Sequence, residues 1–401
     1  MMKTHKPMYH YSPYLRRCLA MAAAGLLAGC HPGSRNDASS SGQHERDEKV
    51  QTAYYKYLQG NLGGKKVTLQ LTKSDGQYDG IFYEDSLARP VTISGSTDTA
   101  GHITLVTYRQ YDPVDTLQGT FSQPGVFSGY CKPAEQEGKG SQAAPAAFAL
   151  QEIYSEGTRR WQVYRLQDSL SLKPGDSSSP KARIAYTLLW PGKGWPDAGH
   201  LLVQQTLAGD LLGLHTPVTA GAQALRNAAD SFLTTYKQAR ANLSPGFAAG
   251  TFNWESQIRM ELLWNAGDIV SLACNRYEYT GGAHGQTNTL LVVWDLKHAR
   301  ILERGDLFRP GYEKKLQQVL EQKLRRAYDI PEKAALNSRR YGILFDKHLN
   351  LTDNFYLTGH GIGFIYNPYE VAPYAVGPIE LFVPFSELQD VLKNPGGVPA
   401  T

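Results

Sequence analysis

From about residue 65 the chain alternates apolar and polar positions in short runs, each closed by a turn signal. Residues 67–71, 78–83, 91–95, 103–108, 117–121, 126–130 and 148–150 read as strands, with Ser74-Asp75-Gly76 as the clearest turn. Strands this short at near-regular spacing predict an up-and-down antiparallel meander, one face buried and the other wet. Gly80, Gly95, Gly119 and Gly129 fall inside strands. Interior glycine lets a strand bend sharply, so the meander is expected to curl into a half-barrel. Core and cross-strand packing suffices to explain Tyr78, Phe82, Tyr83, Phe121 and Phe127. A ligand held inside the half-barrel is the alternative.

Near residue 160 the pattern changes. Residues 161–164 and 182–190 read as strands separated by a Pro/Gly/Ser loop at 173–180. Residues 201–212 predict a helix. Leu225, Ala228, Ala229, Phe232, Leu233 and Tyr236 recur at helical spacing and predict a second. Residues 257–264 and 269–279 read as a hairpin turning at 265–268. The clearest helix covers 312–328, with Tyr312, Leu316, Val319, Leu320, Leu324 and Ala327 on one face. Its lysines and arginines could touch an anionic surface, or simply be a solvated face interleaved with Glu313 and Glu321. Strands follow at 355–358, 362–366 and 379–383, and Ser386 is placed to cap a last helix through 392. The fold class expected is α+β. An antiparallel β-meander occupies 49–155, and a mixed α/β domain with antiparallel sheet and packed helices occupies 156–395, before a tail at 396–401.

The N-terminus reads differently. Lys3, Lys6, Arg16 and Arg17 precede an apolar stretch at 18–28, with no acidic residue before Cys30. This is the anatomy of an export signal. The stretch is about half of the roughly 20 residues that a spanning helix needs. Leu27-Ala28-Gly29-Cys30 resembles a bacterial lipobox, which makes Cys30 the expected lipidation site and 1–29 a lipoprotein signal peptide; an ordinary secretory signal is the plainer alternative. Residues 30–48 are polar and lack periodicity, as a flexible tether does. The expected location is a bacterial membrane, with His31 compatible with the outer membrane facing the periplasm.

The four signal cations account for the whole net charge of +4, so the mature chain is near neutral. That argues against a nucleic-acid partner, which needs a basic face. Beyond Cys18 and Cys30 only Cys131 and Cys274 remain, and sequence alone leaves their pairing open. There is no CxxC, HExxH, Gly-x-Ser-x-Gly, phosphate loop or dinucleotide fingerprint, so no cofactor or metal is expected.

Three segments in the last third stand out: Tyr277-Glu278-Tyr279-Thr280-Gly281-Gly282-Ala283-His284-Gly285, Ile301-Leu302-Glu303-Arg304-Gly305-Asp306-Leu307-Phe308, and the Pro- and Tyr-rich run from Tyr366 to Leu381. In this order they resemble the domain of unknown function at the C-terminus of the lysozyme-binding anti-sigma factor of Gram-positive bacteria. The same module resembles the non-catalytic part of a peptidoglycan deacetylase and occurs in Bacteroidetes-type lipoproteins. The resemblance spans roughly residues 180–392 and implies an envelope-facing recognition module. The chain lacks the anti-sigma factor's transmembrane and cytoplasmic parts, and no deacetylase domain is recognisable.

Read by themselves, Thr280, Gly281 and Gly282 form a tight loop in which glycine permits positive φ. His284 could hold that loop, bind a metal or act as a base. Its conceivable companions are Asp295, Asp306, His360 and Glu370. Tyr366, Tyr369 and Tyr374, around Asn367-Pro368 and Ala372-Pro373, could form an aromatic surface or pack their loop against the sheet. The expected function is non-enzymatic recognition of peptidoglycan, a lysozyme-like muramidase or another envelope protein. The candidate surface is Tyr279, Thr280, Gly281, Gly282, His284, Tyr366, Asn367, Tyr369, Glu370 and Tyr374. A cell-wall hydrolase using His284 as base or metal ligand is the competing reading. On either reading Cys30→Ser should move the protein from the membrane to the soluble fraction and abolish palmitate labelling; retention of both would refute lipidation.

Overall fold

The computed structural model describes residues 50–84, 89–109, 112–123, 125–133, 144–241 and 249–394. Cys30 and the expected tether lie outside them. Seventeen strands among these residues form a sheet of fourteen and a sheet of three. The chain is mostly β.

The first eight strands are β1 (Val50–Leu62), β2 (Lys65–Ser74), β3 (Gln77–Glu84), β4 (Val91–Thr97), β5 (Ile103–Arg109), β6 (Asp112–Gln123), β7 (Val126–Pro133) and β8 (Ala146–Glu152). Each pairs antiparallel with the next, and β8 returns to pair with β1 through Leu58↔Glu152 to Leu62↔Phe148. The half-barrel expected from the meander is therefore a closed barrel. Closure needs β1, which the hydrophobic pattern does not announce: Val50–Leu62 serves two different surroundings along its length. The inward positions carry Leu58, Leu69, Leu71, Phe82, Ile93, Leu105, Leu117, Phe127 and Leu150, and they fill the interior as a packed core. Gly80, Gly95 and Gly129 share those inward positions. A Cβ at Gly95 would overlap the carbonyl oxygen of Thr104, and one at Gly80 that of Gln70. These strands coil so tightly that only glycine fits the bend.

The large sheet continues beyond the barrel. The N-terminal half of β1 pairs with β9 (Trp161–Ser171), Val50 opposite Leu166 and Tyr54 opposite Gln162. Then come β10 (Lys181–Pro191), β11 (Glu255–Ala266), β12 (Ile269–Tyr279), β13 (Gln286–Asp295) and the two-residue β14 (Arg300–Ile301). β10 and β11 run parallel, so the chain between them must cross over a face of the sheet. It does so through α1 (Asp197–Gln205), a π-helical turn (Thr206–Leu211) and α2 (Gly221–Ala241). Leu225, Ala229, Leu233 and Tyr236 of α2 lie against the sheet with Tyr186, Leu188 and Trp190, as the periodicity predicts.

On the opposite face sit the small sheet, β15 (Phe355–Leu357), β16 (Gly361–Tyr366) and β17 (Ile379–Pro384), and behind it the helix α4 (Glu313–Ala327), preceded by the single turn α3 (Arg304–Leu307). Leu316, Val319, Leu320 and Leu324 of α4 pack with Phe364, Leu381 and Val383. Chain 358–360 closes the β15–β16 hairpin. The helix expected after Ser386 is instead one 3₁₀ turn, Phe385–Glu387, followed by turns.

The expected mixed α/β domain is thus an extension of the barrel's own sheet. Side chains reinforce the junction. Ile81 and Tyr83, outside the barrel, bury against Leu263, Ala273, Tyr356 and Phe382, and the Tyr83 hydroxyl donates to the Leu263 carbonyl. Asn265 donates to the buried Tyr55 hydroxyl at 3.1 Å and to the half-buried Arg159 carbonyl at 2.8 Å. Arg259 pairs with Asp79 of the barrel at 3.1 Å. Cys131 and Cys274 are separate, free and buried; burial pushes their thiols up to about 11 and about 12, so both stay protonated and unreactive.

Gly95→Ala should destabilise the protein by about 3 kcal/mol through overpacking against backbone that cannot yield. Equilibrium denaturation checks this; a loss under about 1 kcal/mol would mean the barrel relaxes at that bend.

Candidate functional site

The site is made where the β12–β13 hairpin meets the β16–β17 connection. β13 pairs with β12 on one side, but on its other side it meets β14 only at Trp294 and Asp295. The remaining outer edge would leave backbone groups without partners, which burial does not tolerate. Two asparagines supply them. Asn367 accepts the Thr289 N–H at 2.7 Å and donates to the Thr289 carbonyl at 3.1 Å. Asn354 accepts the Leu291 N–H at 2.8 Å and donates to the carbonyls of Thr289 and Ile365, each at 2.9 Å. A carboxamide carries one acceptor and two donors, so it can stand in for a strand. Asn367 is therefore a structural member of the expected surface. The sequence pattern does not mark Asn354: an asparagine before a short strand carries no signal of such a role.

Docking of Asn367 sets the loop that follows. Glu370 accepts the Asn367 N–H at 2.9 Å and returns its own N–H to the Asn367 carbonyl at 3.1 Å. Tyr369 has φ +70°, a left-handed conformation unusual for an aromatic residue. This turn throws the Tyr369 ring outward, where it is 50% exposed.

The hairpin supplies the opposite wall. Gly281 and Gly282 take φ of +103° and +98°, and the Tyr279 hydroxyl donates to the Gly282 carbonyl at 3.1 Å. Gly285 is buried so close under the Tyr277 ring that a Cβ would overlap it. The loop so fixed places His284 flat against Tyr374, ring centroids 3.9 Å apart and planes 18° apart. Tyr369 lies 5.6 Å from Tyr374 and 6.4 Å from His284, within 30° of parallel to both. The Tyr374 hydroxyl donates to the Gly285 carbonyl at 2.9 Å. His284 Nδ1 lies 3.0 Å from the same carbonyl, and Nε2 lies 3.3 Å from the Tyr369 hydroxyl. The carbonyl can only accept, so Nδ1 carries the proton and Nε2 accepts from the tyrosine.

The structure thus brings together His284, Tyr369 and Tyr374 from segments 85 residues apart, with Tyr279, Thr280, Gly281 and Gly282 framing them. Tyr366 is not part of the surface. It is 1% exposed, within the core between the sheets, and burial holds its hydroxyl far above the usual tyrosine range.

The companions considered for His284 are engaged elsewhere. Asp295, at the far end of β13, accepts from His298 at 2.7 Å and Arg300 at 3.2 Å. Burial raises its pKa, but those hydrogen bonds outweigh it, and the carboxyl ends below the usual range. Asp306 closes the capping box of α3 with Glu303 and pairs with Arg300 at 2.7 Å. His360 lies near Trp264. Among the described residues no three His, Cys, Asp or Glu side chains cluster as metal ligands would. The arrangement is a rigid, three-ring aromatic platform, suited to stacking.

Tyr369→Gly separates shape from structure. It removes the exposed ring and relieves the left-handed strain, so stability should stay level or rise by about 1 kcal/mol. Thermal melting checks it; a large loss would show that the ring holds the loop.

Residues 203–287 match the family described as Deacetylase PdaC, and residues 305–386 match the family described as Protein of unknown function (DUF3298). No curated protein sequence matches the chain. Among solved structures, a DUF3298 family member from Bacteroides fragilis superposes with a TM-score of 0.50 at 22% identity, covering 60% of this chain and 96% of that one. A DUF3298 family protein from Pseudomonas aeruginosa gives a TM-score of 0.42 at 19% identity, covering 59% and 97%. The chain therefore carries a PdaC-like segment followed by a DUF3298 segment. His284 lies in the first, and Tyr369 and Tyr374 lie in the second.

Proposed function

We propose that the protein is a recognition module of the bacterial cell envelope, tethered by lipid on Cys30, with the His284–Tyr369–Tyr374 platform as its binding surface. The observation that carries this reading is the platform itself. Three near-parallel rings from two distant segments meet at the surface, and one is held outward by a strained backbone. Strain of about 1–3 kcal/mol that exposes an aromatic ring has no use in packing and persists only where the surroundings enforce it. Flat aromatic faces suit the apolar face of a sugar ring, and Tyr also serves protein interfaces. Peptidoglycan is the favoured ligand and a lysozyme-like muramidase the second. The PdaC-like and DUF3298 segments support the envelope setting.

The hydrolase reading is weaker. His284 spends Nδ1 on a carbonyl and Nε2 on a tyrosine hydroxyl, and among the described residues no carboxylate bonds to either nitrogen.

Purified protein should bind sacculi saturably, and Tyr369→Ala should weaken binding at least about tenfold, the range of a hot-spot aromatic, with melting unchanged. Lysozyme in place of sacculi tests the second ligand. Undiminished binding by a folded Tyr369→Ala protein would remove the platform from the function.

A further inference from the structure

Beside the platform lies a second surface. Chain 328–354, between α4 and β15, has no regular strand or helix but is anchored by buried Leu336, Leu344 and Leu349. Within it, Ile343 and Leu344 both return N–H groups to the Leu336 carbonyl, and Gly342 returns one to Ser338. The turn so closed presents Arg339, Arg340 and Tyr341 outward, and Phe345, Asp346 and Lys347 follow, all exposed. Tyr341 is 40% and Phe345 51% exposed. The Arg340 guanidinium lies over the Tyr341 ring at 5.0 Å. The Phe345 N–H donates to the Val371 carbonyl at 3.0 Å, between Tyr369 and Tyr374. The 339–347 stretch therefore exposes two aromatic rings and three cations against one acid, Asp346, and it adjoins the Tyr369 turn with its exposed Glu370.

Strand register shows which end that is. Val50 pairs with Leu166, which lines up across the sheet with Tyr186, Ile258, Arg276 and Asn288. β1 runs away from this row, toward Tyr54 and the barrel. β1 thus begins at the end where the β12–β13 hairpin and His284 lie. Five strand spacings separate β1 from β13, about 24 Å. On the tether reading of Cys30, the 20 residues from it to Val50 would reach on the order of 25 Å.

We propose that Arg339, Arg340, Tyr341, Phe345 and Lys347 dock on the anionic phospholipid headgroups of the membrane that holds the Cys30 lipid. This rests on the tether reading of Cys30 and not on the platform's ligand. Aromatic rings flanked by cations are the composition of an interfacial contact: rings enter the headgroup layer while guanidinium and ammonium groups pair with phosphates. The contact would hold the platform beside the membrane surface.

The test is co-sedimentation of the mature chain carrying C30S, hence lipid-free, with phosphatidylcholine vesicles with and without phosphatidylglycerol. The expected result is binding only when phosphatidylglycerol is present, falling as salt rises. R339S/R340S and Y341S/F345S should each weaken it at least about tenfold, while Tyr369→Ala, impaired on sacculi, still binds vesicles. R339S/R340S alters only exposed cations, so it carries the test if the aromatic pair disturbs folding. No vesicle binding by the C30S protein overturns the proposal, as does equal binding by a folded R339S/R340S protein. Loss of sacculus binding by the R339S/R340S protein with its vesicle binding intact also overturns it, and assigns the loop to a glycan.

Discussion

One strand belongs to two structures, and the architecture depends on it. Val50–Leu62 pairs with β9 through its first half and with β8 through its second, while β2 runs along its other side from Tyr54 to Leu62. The second half closes the barrel, and the first makes the barrel continuous with the sheet that carries the helices. A covalently continuous, hydrogen-bonded strand is a stiffer joint than a linker. The joint is reinforced where Tyr83, Asn265 and Arg259 cross it. Each gains its partner across the joint only when barrel and body are in register, and an unmet buried partner costs about 1–3 kcal/mol. The barrel therefore holds a fixed orientation against the rest of the protein.

A second constraint makes the candidate site. β13 is apolar on both faces: Val292 and Trp294 face the crossover helices, and Val293 faces α4 and the small sheet. Such a strand must be central, yet its outer edge lacks a strand along most of its length. Asn354 and Asn367 resolve this by presenting side-chain amides where a neighbour's backbone would be. Because Asn367 is fixed there, Tyr369 and Tyr374 arrive beside His284. The aromatic platform follows from satisfying the edge of a buried sheet.

The elements that position the site and those exposed on it differ in character. Glycines at 281, 282 and 285, the Asn367–Glu370 turn and the Tyr374 hydrogen bond leave the loops little freedom. The groups that point outward are ring faces and cations, which make contacts of area and charge and fit recognition better than catalysis. Strand register places the start of β1, the platform and the 339–347 turn at one end.

Much of this was legible in the sequence. Strands β2 to β8 alternate with period two, and α2 and α4 repeat with helical spacing, because each buries one face against a single layer. The first and third unusual segments meet at the candidate site, since glycine and proline runs report backbone geometry that local chemistry enforces, while the second forms β14 and α3 at the far end of β13. β1 and β13 were not legible. The first changes partners midway, and the second is buried on both faces, so neither shows a simple period. Tyr366 and Tyr369 look alike in sequence, yet one is core and the other surface, because only the strand's end and the left-handed turn after it set where each ring points. Local composition determined the elements, the turns and the neighbourhood of the site. Closure of the barrel, capping of the β13 edge and the meeting of His284 with Tyr369 and Tyr374 rest on contacts between residues far apart in the chain, and only tertiary structure could decide them.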